Sequence, residues 1–333
     1  MTMTTATILG AGSFGTAFAL LLARQNFSVK MWTIMPEVAA EILSYHTNKS
    51  FLSGILLPKN ITATTCLKEA LTNTDLIFIA VPSQAVREVM RQVEVLLPSK
   101  KFMIISLAKG LEQTSWQRMS QVINEETNGK HEVAVISGPS YARELAADLP
   151  TAVTIASKST SAAKYLANKL SSRHLALLVH DDLIGLEFAG AFKNMLALAA
   201  GCFEGLALGE NARAALLCSG FAELRKLCRV LGAKEETLLS WSGLGDLILT
   251  CSSAESRNFR AGVHLGQGYS KEVAAAKVGQ AVEGIMAAHA AYELAKKHQL
   301  NLPIINKLYD ILNNVATPKE LVEVVLQTTV KIV

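Results

Sequence analysis

Charge is scarce in this chain of 333 residues: Asp, Glu, Lys and Arg together make up 18%, against roughly 25% in an average soluble protein. Half of the residues are hydrophobic, and the formal net charge is only +4. Disorder is excluded by these values, because it requires low hydrophobicity and high net charge. No long basic run occurs, so nucleic-acid binding is not expected; a small anionic substrate still suits a mildly basic chain. An unbroken apolar stretch of about 20 residues, the length of a membrane-spanning helix, is missing as well. Mean hydropathy is positive at +0.29, yet the most apolar region, Leu183 to Gly209, is interrupted by Glu187, Lys193, Asn194 and Glu204. The apolar stretch Ala17–Ala23 follows a glycine-rich segment and no basic leader, which argues against a signal peptide. The five cysteines (Cys66, Cys202, Cys218, Cys228, Cys251) are odd in number, scattered and without a C-x-x-C pair. They read as buried thiols of a cytoplasmic protein. Nothing in the spacing of potential ligands suggests a metal site.

No repeat or low-complexity linker divides the chain, but its pattern changes midway. At about 150 residues per domain the length predicts two. Residues 5 to about 180 alternate short apolar runs with helical spacing. The expected strands are Thr5–Leu9, Ser28–Trp32, Asn60–Thr62, Leu76–Val81, Phe102–Ser106, Val133–Ile136, Ala152–Ala156 and Ala176–Val179. Helices are expected between them, for example at Gly15–Arg24, Pro36–Leu43, Gln84–Leu97 and Ser161–Leu170. Such alternation predicts a doubly wound α/β sheet. From about Asp182 onward Ala and Leu dominate with helical periodicity, over Leu183–Ala200, Asn211–Leu231, Lys271–Val278, Ala281–His298, Pro303–Asn313 and Lys319–Leu326. That half reads as all-α. The expected organisation is a Rossmann-like domain over 1–182 and an α-helical domain over 183–333, packed around a shared cleft.

Gly10-Ala11-Gly12-Ser13-Phe14-Gly15 fits G-x-G-x-x-G between an expected strand and an expected helix, the context that gives this motif its meaning. Gly10 permits the tight turn, Gly12 admits a pyrophosphate to the backbone, and Gly15 lets helix and strand pack closely. The helix N-terminus then offers N–H groups to the phosphates. The acidic residue expected at the end of the second strand to hold the ribose is absent: the strand ends Trp32-Thr33-Ile34-Met35. The choice between NAD and NADP therefore stays open. Val81-Pro82-Ser83, Ala108-Lys109-Gly110 and Ser137-Gly138-Pro139-Ser140 also fall at the carboxyl ends of expected strands, where open α/β sheets bind ligands.

Lys193 and Asn194 interrupt a helix that is apolar nearly all round. A buried ammonium needs a partner, and desolvation disfavours its charge. A lysine so placed suits proton transfer near neutral pH. Gly243-Leu-Gly-Asp246-Leu-Ile-Leu-Thr250 reads as a glycine turn into a helix. Asp246 either caps that helix or holds a lysine or a substrate hydroxyl, and Thr250 shares its face. Ser256-Arg257-Asn258 offers a planar guanidinium to a phosphate.

Together these segments resemble the bacterial-type NAD(P)-dependent glycerol-3-phosphate dehydrogenase family. The matching stretches are Gly10–Thr16, Ala80–Ser83, Ala108–Leu111, Val135–Ala142, Phe192–Asn194, Gly209–Ala212, Gly243–Cys251, Ser256–Asn258 and Gly279–Gly284, in family order and over nearly the whole chain. The resemblance implies reversible reduction of dihydroxyacetone phosphate to sn-glycerol 3-phosphate, with NAD or NADP as cofactor, feeding phospholipid synthesis. It implies Lys193 as proton donor and acceptor, with Lys109 and Asp246 beside it in the catalytic set. Lys109, Gly138, Ser140, Lys193, Asp246, Ser256, Arg257 and Asn258 match its substrate contacts. Ser13, Phe14, Lys109, Ala142, Arg257, Ala281 and Glu283 match its cofactor contacts, beside the three glycines. A cytoplasmic homodimer is expected, its interface in the Ala- and Leu-rich half. Two rivals remain: a two-domain dehydrogenase of a β-hydroxyacid or ketopantoate-like substrate, and a non-catalytic nucleotide sensor.

Overall fold

The computed structural model describes residues 3–328; residues 1–2 and 329–333, the ends of the two expected domains, lie outside the described residues. Contacts divide the chain into two units. One comprises residues 1–112 and 117–183, the other residues 113–116 and 184–333.

The first unit is built on eight strands: β1 (Thr5–Leu9), β2 (Ser28–Trp32), β3 (Ile61–Thr64), β4 (Leu76–Ile79), β5 (Met103–Ser106), β6 (Glu132–Ser137), β7 (Thr151–Ser157) and β8 (Leu175–His180). Their order in the sheet is β3-β2-β1-β4-β5-β6-β7-β8. The first six are parallel; β7 is antiparallel to β6, and β8 runs parallel to β7. All four residues of β4 are buried, as a central strand covered on both faces requires. On one face the Ser13–Arg24 helix packs over Ile8, Val29, Phe78 and Ile105. On the other, the Val86–Leu96 and Met119–Glu126 helices pack over Ile77, Ile79, Ile104 and Val133. Strand order reverses between β1 and β4, which makes the carboxyl ends of these two strands the switch point where ligands bind.

All eight expected strands form; β1 and β2 have the expected bounds, and the other six differ by one or two residues at one end or both. β3 begins at Ile61, because Asn60 spends its side-chain amide on the carbonyls of Ala23 and Phe27 and so belongs to the preceding turn. β4 stops at Ile79; Pro82 cannot donate to a ladder, and a short 3₁₀ turn, Ser83–Ala85, leads into the Val86–Leu96 helix.

The second unit is helical. Its longest helix, Leu183–Gly205, is long and apolar enough to cross a membrane, and 94% of its most apolar window is buried within the protein. A helix apolar on every side is a core helix when it is covered in this way. The Arg257–Gly266 helix, which was not among the segments expected, crosses it with the two backbones in contact. A Cβ on Gly201 would stand 2.0 Å from the Phe259 carbonyl oxygen, and one on Gly262 would stand 2.0 Å from that of Leu198. Only hydrogen fits there. The same glycines that permit the crossing weaken the helical signal in the sequence.

The cysteine expectation needs one correction. Cys202, Cys228 and Cys251 are buried, but Cys66 and Cys218 are exposed. Cys66 caps the short Leu67–Leu71 helix at its start, and Cys218 sits on the outer side of the Gly209–Val230 helix.

Candidate active site

In the first unit, Gly10 leaves β1 with φ of +120°, a conformation that favours glycine. Its amide donates to the Trp32 carbonyl at 2.9 Å. A Cβ there would lie 2.7 Å from the carbonyl carbon of Ala80, at the end of β4. A Cβ on Gly15 would lie 2.1 Å from the Gly10 oxygen. Gly12 is the opposite case. It caps the Ser13–Arg24 helix without any side-chain bond, and a Cβ on it would meet nothing within 4 Å. Two glycines therefore close the turn from inside, while the third faces open space at a helix N-terminus. Such an arrangement suits a pyrophosphate. Ser13 and Phe14 open the helix, and Phe14 lies against Phe18 with ring centroids 6.2 Å apart.

Further along the same sheet edge, Lys109 follows β5. Its Nζ donates to the Gly138 carbonyl oxygen at 2.8 Å. Ser140 Oγ donates to that same oxygen at 2.9 Å. Gly138 has φ of +143°, and a Cβ there would run into Val153. Lys109, Gly138 and Ser140 thus form one cluster, with Ala142 starting the short helix that follows. The Val81-Pro82-Ser83 loop braces it: a Cβ on Gly110 would meet Ser83 Oγ at 2.6 Å, and Gln84 Nε2 donates to the Leu111 carbonyl at 2.8 Å.

In the second unit, Lys193 is 6% exposed and Asp246 1%. Lys193 Nζ donates to Asp246 Oδ1 at 2.5 Å and to Thr250 Oγ1 at 2.7 Å. The Thr250 hydroxyl donates in turn to the Asp246 carbonyl oxygen at 2.6 Å. Lys193 therefore does not snorkel to solvent, and Asp246 is no N-cap: it is the first residue of the Asp246–Cys251 helix, its carboxylate turned to the ammonium. The residues before it, Trp241–Gly245, form a π-helical turn, a local widening frequent at functional sites. Beside the pair, burial pushes the Cys251 thiol up to about 12, against the opposing pull of Lys193.

Asn194, next to Lys193 in sequence, bonds to further predicted residues of the second unit. Its Oδ1 accepts from Asn258 Nδ2 at 2.9 Å, and Asn258 Oδ1 accepts the Gly284 N–H at 2.8 Å. Asn194 Nδ2 donates to Glu283 Oε2 at 3.4 Å. Ser256 Oγ caps the Arg257–Gly266 helix by accepting the Phe259 N–H, so Arg257 stands exposed in its first turn. Ala281 is exposed just ahead of the Glu283–Lys297 helix.

The predicted residues thus fall into two sets, one per unit: Gly10 to Gly15, Lys109, Gly138, Ser140 and Ala142 in the first, and Lys193, Asp246, Ser256, Arg257, Asn258, Ala281 and Glu283 in the second. Thr250 and Asn194, both noted in the sequence, turn out to be direct partners of these residues. The i, i+4 spacing of Asp246 and Thr250 signalled the first. No sequence pattern signalled the pairing of Asn194 with Asn258, 64 positions away.

Residues 5–163 match the profile of the N-terminal part of NAD-dependent glycerol-3-phosphate dehydrogenase, and residues 182–323 match that of its C-terminal part. Glycerol-3-phosphate dehydrogenase [NAD(P)+] of Clostridium tetani is 41% identical over 94% of this chain and 89% of its own length. The crystal structure of glycerol-3-phosphate dehydrogenase from Coxiella burnetii superposes with a TM-score of 0.92 at 39% identity, covering 98% of this chain and 99% of that one. A ketopantoate reductase from Ralstonia eutropha shares the fold alone, with a TM-score of 0.63 at 16% identity over 95% of this chain and 99% of its own. The chain belongs to the NAD-dependent glycerol-3-phosphate dehydrogenase family.

Proposed function

We propose that this protein reduces dihydroxyacetone phosphate reversibly to sn-glycerol 3-phosphate with NADH or NADPH. The observation that carries the chemistry is the buried Lys193–Asp246–Thr250 constellation, its lysine on the apolar, buried Leu183–Gly205 helix. The reduced nicotinamide, when bound, supplies the hydride that the carbonyl carbon receives. As negative charge grows on the carbonyl oxygen, the Lys193 ammonium donates a proton to it. Asp246 keeps that ammonium charged in an apolar surround, and Thr250 aims it. In the reverse direction the Lys193 amine accepts the hydroxyl proton. Water then restores the lysine's proton balance.

Arg257 and the N-terminus of its helix suit the substrate's phosphate. Asn258 keeps a second Nδ2 hydrogen for the same anion, while its other bonds tie the helix to Asn194 and to Gly284. Binding energy from the phosphate, remote from the reacting centre, orients the carbonyl. Lys109, Gly138 and Ser140, which match the family's substrate contacts, form a cluster of their own. The open face of Gly12 takes the cofactor's pyrophosphate, with Ser13 and Phe14 beside it. The product is the backbone of glycerophospholipids, so the reaction stands at the entry to their synthesis. We further place the protein in the cytoplasm, on its free thiols, and as a homodimer, on the exposed Leu239, Trp241 and Ile248 of the helical unit.

An absorbance assay tests this reading. Loss of reduced nicotinamide is followed with dihydroxyacetone phosphate, with unphosphorylated dihydroxyacetone and with ketopantoate. Oxidation that needs the phosphate is expected. Turnover with ketopantoate alone would move the assignment to the carboxylate-reducing rival, and cofactor binding without any turnover would move it to the sensor.

A further inference from the structure

Asn48 lies outside every motif that carries the family resemblance. It follows the Pro36–Tyr45 helix and is 1% exposed. Its Nδ2 donates to the Ala11 carbonyl oxygen at 2.9 Å and to Thr16 Oγ1 at 2.8 Å. Thr16 Oγ1 donates its own hydrogen to the same Ala11 oxygen at 3.3 Å. Both amide hydrogens of Asn48 are spent on acceptors, so its orientation is fixed: rotated by half a turn, Oδ1 would face two oxygens. The consequence is a buried Oδ1 with no hydrogen-bond partner among the described residues. An unpaired buried acceptor is unfavourable. The amide is held in place for what its donors do.

What they hold is the peptide at the centre of the glycine turn. The Ala11–Gly12 bond is trans, so its C=O and N–H point in opposite directions. With the Ala11 oxygen drawn inward by Asn48, the Gly12 N–H is turned outward. The residue itself has open space beside it: a Cβ on Gly12 would meet nothing within 4 Å. Left alone, this peptide could flip, because the flip carries Gly12 from φ of −70° to positive φ, which glycine tolerates. Gly10 and Gly15 set how closely strand and helix approach, but neither fixes the rotation of this peptide.

We propose that Asn48 is a positioning residue for the cofactor, which locks the Ala11–Gly12 peptide so that the Gly12 N–H is presented to the pyrophosphate. This rests on the reading of the glycine turn as a dinucleotide site. The lock comes from the turn between the Pro36–Tyr45 and Lys49–Leu52 helices, so a residue more than thirty positions from the glycine turn sets the phosphate donor.

The test is a fluorescence titration of NADH with wild-type protein, Asn48→Ala and Asn48→Ser, joined to steady-state kinetics. Wild type is measured first. Absence of binding of both NADH and NADPH there would refute the dinucleotide reading itself, and the coenzyme that binds is the one titrated. With binding established, Asn48→Ala is expected to raise the Kd and KM for NADH about tenfold, the equivalent of one charge-assisted hydrogen bond. The kcat at saturating NADH and the KM for dihydroxyacetone phosphate are expected to stay within about twofold, well under that tenfold bond equivalent. Asn48→Ser, which keeps one donor, should fall between wild type and Asn48→Ala. A folded Asn48→Ala that binds NADH like wild type would overturn the proposal. So would an equal rise in both KM values, or loss of folding in both variants, since either assigns Asn48 to the general stability of the unit.

Discussion

Lys193 Nζ and Asp246 Oδ1 lie 2.5 Å apart, on two helices 53 positions apart in sequence, and neither side chain is more than 8% exposed. A pair so buried is costly to break: removing one partner typically destabilises by about 3–5 kcal/mol, because the other charge is left uncompensated. Asp246→Asn preserves shape and removes only charge. We expect a lower melting temperature than wild type and a kcat reduced by about 10²-fold, within the range of a misassembled general acid. Unchanged kcat at saturating substrate and cofactor would show that Asp246 is structural only.

The three glycines of the nucleotide turn separate folding from binding. Gly15→Ala places a Cβ 2.1 Å from the Gly10 oxygen. Strain of this kind typically destabilises by about 1–3 kcal/mol, and a thermal melt should show it. Gly12→Ala meets open space at an ordinary φ of −70°, so its melt should match wild type. Its methyl group would stand where the pyrophosphate approaches, and NADH affinity should fall at least tenfold, roughly the worth of one lost bond. Wild-type affinity in Gly12→Ala would contradict the placement of the phosphates.

Glu223 gives the helical unit a pH dependence. Its buried carboxylate accepts the N–H groups of Ile304 at 2.9 Å and Ile305 at 3.1 Å, at the start of the Pro303–Leu312 helix. Burial raises its pKa above the ordinary 4.5, against the pull of those two bonds. A carboxyl raised on folding binds its proton more tightly in the native state. That contribution is full below the unfolded value and is lost as pH rises through the folded one. Glu223→Gln removes this titration. The stability difference between variant and wild type, measured by urea unfolding from pH 4.5 upward, should therefore shift in the variant's favour as pH rises. A constant difference would remove Glu223 from the account.

Much of this was legible in the sequence, for local reasons. β1, the glycine turn and the Ser13–Arg24 helix are fixed by residues within twenty positions of one another. Lys193 declared itself by interrupting an apolar helix. The Arg257–Gly266 helix was not legible, because Gly262 and Gly266 reduce its propensity and make sense only against Gly201 and Gly205. Asn48, and the pairing of Asn194 with Asn258, were not legible either: both rest on amide bonds between residues more than thirty positions apart. The coenzyme question persists at Ile34, which is 79% exposed after β2 and offers no polar group to a ribose.

The central claim is that Lys193 transfers the proton. Its most direct test is the rate of NADH oxidation by Lys193→Met with saturating dihydroxyacetone phosphate, in protein that still binds NADH. Met retains much of the buried stem and removes the ammonium. A fall of about 10²–10⁴-fold, the contribution of a positioned general acid, is predicted. A rate within about tenfold of wild type, below that general-acid range, would contradict the account and return the search for the proton donor to Lys109.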